Sequence, residues 1–309
     1  MTTYTIGSTA SAGRTLRAPL WLRELTRRPN GVIGLVTIVL FVTVAIVAAL
    51  WTPHDPVRAD PYQQWLAPSW QHLLGTDGLG RDTLSRLMAA TSTALVVAFS
   101  AILLSGVVGI LLAALSSLTS VWFREATAVL IDVLVAFPTL LIAMMLASTF
   151  GGSLAVVILA VGISFSISIG RVTKAEMARV TASDYVLAGR ASGFGPVRTL
   201  VEHVVPNVGS VFIVQLSIAG GVAILAEAGL SYLGYGAPPN TPSWGRMLAD
   251  SQSSITTHPW SVIWPGITIA VFVFGLSLLG DGLREATDPR LKRGRVPATV
   301  EQTSEELTW

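Results

Sequence analysis

Apolar positions in this chain neither alternate nor keep to one helical face; they run in long blocks, with charged residues pushed to the block ends. The first block, 31–51, has 21 residues. As a helix rising about 1.5 Å per residue it is about 31 Å long, close to the hydrocarbon thickness of a bilayer. A secretory signal would be shorter and end in a small-residue cleavage site. Here Trp51-Thr52-Pro53-His54-Asp55-Pro56 follows, so the block reads as an uncleaved span. The uncharged run 89–123 predicts one helix with a short connection to Arg124 and Glu125. From 133 to 170 there are 38 residues without Asp, Glu, Lys or Arg, which as a single helix would reach about 57 Å. Gly151-Gly152-Ser153 interrupts that run and predicts two spans joined by a tight turn. Blocks 208–226 and 262–280 supply two more. The expectation is an all-α integral membrane protein with six transmembrane helices.

Composition agrees: 51% of the 309 residues are hydrophobic and only 12% charged, against about 25% charged in soluble domains. A soluble globular domain and a disordered chain are both excluded. The net charge of +2 gives no support to polyanion binding. The absence of cysteine removes disulfides, thiolate metal ligands and Cys nucleophiles together. Lys174 follows Thr173 and Lys292 follows Leu291, so no phosphate-binding P-loop can be written.

Sixteen of the 20 Lys and Arg fall in 1–30, at Arg124, in 171–207 and from Arg284 onward. The other four are Arg58, Arg81, Arg86 and Arg246. This asymmetry places both termini in the cytoplasm and the stretches 52–87 and 231–261 outside. The expected organisation is a cytoplasmic segment 1–30, a first span 31–51, an external loop 52–87, a five-helix core 88–283 and a cytoplasmic tail 284–309. The core contains a cytoplasmic loop 171–207 and the external loop 231–261. Small residues such as Ser105-Gly106, Gly109, Ala113-Ala114 and Gly220-Gly221 allow close helix approach within the chain or at a subunit interface.

The stretch 171–207 is too patterned for a plain connector. Ser183 can cap a helix that has Asp184 in its first turn, with Tyr185, Ala188 and Ala191 at helical spacing and Gly193 at the end. Gly195-Pro196 opens a second short helix carrying Val201, Val204 and Val205 and running to Pro206-Asn207. Two helices at a Gly193-Phe194-Gly195 corner form a docking element for a partner or an amphipathic surface stretch.

The run Tyr185-Val186-Leu187-Ala188-Gly189-Arg190-Ala191-Ser192-Gly193, followed by His203-Val204-Val205-Pro206-Asn207, resembles the cytoplasmic motif of ABC importer permeases. His72-Leu73-Leu74-Gly75-Thr76-Asp77-Gly78-Leu79-Gly80-Arg81-Asp82 resembles the first outer loop of the C-type permease of dipeptide, oligopeptide and nickel importers. Glu227-Ala228-Gly229-Leu230-Ser231-Tyr232-Leu233-Gly234 with Pro242-Ser243-Trp244-Gly245-Arg246-Met247-Leu248 resembles the same family, as does the ending Leu279-Gly280-Asp281-Gly282-Leu283-Arg284 with Asp288-Pro289-Arg290. One departure is Leu187-Ala188-Gly189, where the general motif opens acidic-Ala-Ala.

The resemblance implies a type I ABC importer permease fold in a bacterial inner membrane and a non-catalytic subunit of a peptide importer. The implied partners are a homologous second permease, two cytoplasmic ATPase subunits that bind ATP and Mg, and an external substrate-binding protein. No cofactor is expected in this chain and no nucleic acid. Residues Asp184 to Ser192, with Gly193, Phe194 and Gly195, would dock into the ATPase.

Asp132 and Glu227 are acids in apolar surroundings and stand as pathway or gate candidates, although for Asp132, near a span end, an interface or capping role is the stronger reading. The four histidines, at 54, 72, 203 and 258, show no H-E-x-x-H or i, i+4 pairing, so no metal site is expected. Gly75, Gly78 and Gly80 have the wrong order for a dinucleotide loop. Trp65, Trp70, Tyr232, Tyr235, Trp244 and Trp260 gather in the external stretches with Pro238, Pro239 and Pro242, as membrane anchors or as a shaped platform. Asp77, Arg81, Asp82, Pro238, Pro242 and Trp244 are the candidates for docking the binding protein. Nickel chelates or other small solutes are alternative cargoes. An ion-coupled secondary carrier is the rival class, and it would need more intramembrane charge than Glu227 provides.

Overall fold

Nine α-helices, with two short 3-10 helices at Pro61–Gln63 and Gln252–Ser254, carry most of the regular structure among the residues that a computed structural model describes, 24–118, 125, 129, 133 and 138–287. They are α1 Pro29–Leu50, α2 Thr83–Leu118, α3 Thr139–Phe150, α4 Leu154–Thr181, α5 Asp184–Ala191, α6 Pro196–Thr199, α7 Val205–Tyr232, α8 Trp244–Ser251 and α9 Trp260–Thr287. A π-helical turn, Leu200–Val204, joins α6 to α7. Each start has a local cause. Pro29 occupies the first turn of α1, where its missing N–H costs nothing. The Asp82 carboxylate caps α2 by accepting the Ser85 N–H at 2.8 Å, and Ser153 caps α4 by accepting the Val156 N–H at 3.3 Å.

Five helices are long and apolar enough to cross a membrane: α1, α2, α4, the continuous α6–α7 run and α9. The sixth expected span is represented by the 12-residue apolar helix α3; the positions between 118 and 138 are mostly outside the described residues, and Asp132 is among them. The turn at Gly151 forms where expected, with φ +85°. Two expectations are corrected. Helix α2 begins inside the stretch 52–87 read as loop, because Asp82 caps it there. The second short helix does not stop at Pro206 but runs on into α7. The Val205 N–H reaches back to the Leu200 carbonyl, a wider turn that accommodates the proline ring.

Helix contacts rest on missing side chains. A Cβ on Gly34 of α1 would lie 2.3 Å from the Leu279 nitrogen of α9, and one on Gly162 of α4 would lie 2.6 Å from Leu104 of α2. Backbones approach closely because lipid supplies no hydrophobic drive between helices and packing must do the work. Gly106, Gly109 and Gly220, read from sequence as packing or interface residues, face other helices of this same chain. The core joins α1, α2, α8 and α9 around Phe41, Trp244 and Phe272, whose ring centroids lie 4.9–5.8 Å apart in edge-on or tilted geometry. A second cluster, with Val97, Val157, Ala160 and Ala223, binds α2, α4 and α7. Ile33, Val36, Leu40, Phe99, Leu103 and Phe274 face outward, as expected for helices solvated by lipid.

Candidate functional site

Two regions carry chemistry, at opposite ends of α7. At one end α5 projects as a corner. Ser183 precedes it in extended conformation, yet its hydroxyl donates to the Val180 carbonyl and does not cap. The end of the helix closes as a Schellman motif: Phe194 N–H bonds the Gly189 carbonyl at 3.2 Å, Gly193 N–H bonds the Arg190 carbonyl at 2.9 Å, and Gly193 sits at φ +91°. Within α5 only Val186 is buried, against Met177, Val180, Val204 and Val208. Asp184, Tyr185, Ala188, Arg190, Ala191, Ser192, Gly193 and Gly195 are exposed, with Gly189 and Phe194 half-buried.

Behind the glycine turn stands a stack that the sequence pattern does not announce. Phe194 lies parallel to His203 with centroids 5.5 Å apart, and the Arg198 guanidinium lies over the Phe194 ring at 4.1 Å from its centroid. Tyr185 meets the His203 ring edge-on. A Cβ at Gly189 would come within 3.4 Å of both Phe194 and His203. The turn between α5 and α6 is thus packed against this stack.

At the other end, the segment 51–82 folds over the start of α2 and against α8. Its glycines are required by geometry: Gly75 and Gly80 have φ +75° and +74°, and a Cβ on Gly80 would lie 1.9 Å from the Asp60 carbonyl oxygen. Asp77 accepts the backbone N–H groups of Leu79 and Arg81 at 2.8 and 3.0 Å. Its other oxygen takes Arg81 Nε at 2.8 Å and also Arg86 Nη1. Both guanidiniums then reach Asp250 of α8, at 2.7 and 2.9 Å. Two carboxylates and two guanidiniums thus alternate, which is the pairing buried charge needs. A cavity of about 390 Å³ adjoins this cluster, lined by Trp65, Gly78, Leu79, Arg81, Asp250, Ser253 and Ser254. Beside it Asp82 bonds His72 at 2.9 Å, and His54 packs against the His72 ring.

Residues 105–293 match the family described as binding-protein-dependent transport system inner membrane component, and residues 20–68 match the N-terminal transmembrane domain of oligopeptide transport permease C. The chain is 32% identical over 87% of its length to a dipeptide transport system permease protein of Alkalihalophilus pseudofirmus, covering 89% of that protein. It is 33% identical over 88% of its length to a protein of Brucella suis biovar 1 provisionally named a peptide transport system permease, covering 92% of it. The chain belongs to this family of transport-system permeases. It is a multi-pass membrane permease subunit.

Several expectations for this permease change on the structure. Trp244 is 1% exposed and donates its indole N–H to the Leu87 carbonyl at 3.3 Å, so it is core and not a docking surface. Asp77 and Asp82 are buried and Arg81 is nearly so; they shape the segment from inside. Pro238 is exposed, and the half-buried Pro242 accepts the Thr93 hydroxyl at 2.9 Å. The surface itself presents Tyr62 and Trp70, 96% and 98% exposed. Glu227 is 1% exposed. It accepts the Ser231 hydroxyl at 2.6 Å, which in turn accepts the Ala237 N–H at 2.8 Å. It ties α7 to the turn beyond it and, among the described residues, is enclosed and lines no open surface. Sequence reasoning missed Arg86, Asp250 and Arg198 as partners, and it placed His203 in a motif without showing its partners.

Proposed function

We propose that this permease forms half of the translocation pathway of an ATP-driven peptide importer, with a homologous permease as the other half. The corner supports this reading most directly. An eight-residue helix with a single buried side chain, stiffened by a glycine turn and an aromatic stack, is a lever for another protein. The α5 helix, from Asp184 to Ala191, with Ser192 to Gly195 would dock with one of two cytoplasmic ATPase subunits, which bind ATP and Mg, so that this chain transmits closure without catalysis. The 16-to-4 distribution of basic residues supports a cytoplasmic corner and cytoplasmic termini. The opposite end, with Tyr62, Trp70, Pro238 and the cavity beside Arg81, then faces outward toward a substrate-binding protein. Peptides are the cargo suggested by the names of the relatives.

The test is reconstitution of the complete transporter in vesicles with its binding protein and labelled di- and oligopeptides. ATP-dependent peptide accumulation that fails with Gly193→Val is the expected result. Uptake of a metal chelate but no peptide would redirect the substrate. Uptake driven by an ion gradient without ATP would overturn the class.

A further inference from the structure

We propose that His54, His72 and Asp82 bind a divalent transition-metal ion of the zinc type at the α1–α2 end of the molecule. The three residues come from separate pieces of chain: the residues after α1, the loop beyond, and the cap of α2. Their donor atoms all lie within 4.8 Å of one another. His72 Nδ1 is 2.9 Å and His54 Nδ1 3.8 Å from the same Asp82 oxygen, Oδ1. Neighbouring donors on a tetrahedral ion, with bonds of about 2.0–2.2 Å, stand roughly 3.4 Å apart. The two distances bracket that value, and a small turn of the exposed His54 ring completes the set.

The surroundings are those of a metal site. His72 Nε2 lies 3.0 Å from Gln63 Oε1, the outer hydrogen bond that orients a ligating imidazole, so that an ion replacing the proton between Nδ1 and Asp82 Oδ1 would find the ring already placed. Asp82 Oδ2 is held by the Ser85 N–H and hydroxyl at 2.8 and 2.6 Å, which leaves Oδ1, turned toward the two imidazoles, as the ligand oxygen. Asp82 is 3% exposed, and among the described residues its ionic partners are the two imidazoles. The neighbouring Asp77 has two guanidiniums instead. Among the described residues no guanidinium or ammonium faces this buried carboxylate, and a divalent ion at Oδ1 would supply fixed compensating charge. The His54 side chain is 43% exposed, so the ion can enter from solvent and keep a fourth position for water. Two imidazoles and one carboxylate favour zinc, nickel or copper over magnesium or calcium. The ion would staple the chain leaving α1 to the first turn of α2, where the His54 N–H already bonds Ser85 Oγ at 2.9 Å.

The experiment uses the full chain, purified without a histidine tag, titrated with Zn²⁺ against a chromogenic chelator and with Co²⁺ by visible spectroscopy. The expected result is a single equivalent bound, with the strong ligand-field bands of four-coordinate Co²⁺. His54→Ala, at the most exposed of the three side chains, should weaken binding roughly tenfold or more. Asp82→Asn should abolish it, and His258→Ala should leave it unchanged. Stoichiometric binding that survives in His54→Ala, or no binding and no Co²⁺ bands in the wild type, would overturn the site.

Discussion

Arg86 Nη2 lies 2.9 Å from Asp250 Oδ2 although the two residues are 164 positions apart in the chain. The bond joins the first turn of α2 to α8, and Arg81 repeats it from the adjacent loop. Asp77 closes the cluster from the far side, so the segment 51–82 and helix α8 behave as one body.

Removing one member should therefore cost more than a surface pair. Asp77→Asn leaves two largely buried guanidiniums sharing Asp250 alone and loosens the backbone turn at Leu79 and Arg81. A loss on the order of 3 kcal/mol is expected, measured as a lower unfolding midpoint of the purified protein. The paired variant Arg27→Ala, at an exposed ion pair with Glu24, should move that midpoint little.

Gly193→Val should insert into the membrane normally and yet uncouple transport. A β-branched residue at φ +91° is strained by about 1–2 kcal/mol, and the Schellman closure would open to relieve it. Loss of ATPase co-purification with unchanged expression is the expected outcome. Normal uptake and normal stimulation by the binding protein would remove the corner as the docking element.

Aromatic residues in the two loops should separate into distinct classes. Trp244→Ala leaves a cavity between Phe41 and Phe272 and should cost about 3–5 kcal/mol of stability. Trp70→Ala, 98% exposed, should leave stability unchanged and lower only binding-protein stimulation of ATP hydrolysis. If both variants lose stability alike, the exposed ring is a structural anchor.

Orientation is open to labelling in this cysteine-free chain. Single cysteines at Ser69 or Ser253, both exposed, should react with an impermeant thiol reagent in intact cells, while one at Ser192 should not. Ser251 is unsuitable, being 3% exposed and within hydrogen-bonding distance of the Ser261 carbonyl. Reaction at Ser192 from outside would invert the topology.

What the sequence determined by itself is what short-range chemistry controls. Block length and the absence of charge marked the spans, since a buried backbone in lipid must satisfy its own hydrogen bonds. Gly151 and Gly193 marked turns because a left-handed residue without a Cβ is a local requirement. Pro238, Pro239 and Pro242 marked a shaped loop because proline cannot continue a helix. Tertiary structure alone decided where side chains between those landmarks point. Trp244 lies in a stretch whose aromatics read equally as anchors or platform, and only the packing of α8 on α1 and α9 turned it inward. Asp250 had no partner within helical reach other than Arg246, and its stronger bonds come from the far end of the chain. The convergence of His54, His72 and Asp82 has no ligand spacing to detect, because three loop pieces meet only after α1 and α2 have packed. Local periodicity carries no information about which distant segments a helix bundle brings together, and in this permease those meetings place the buried charges.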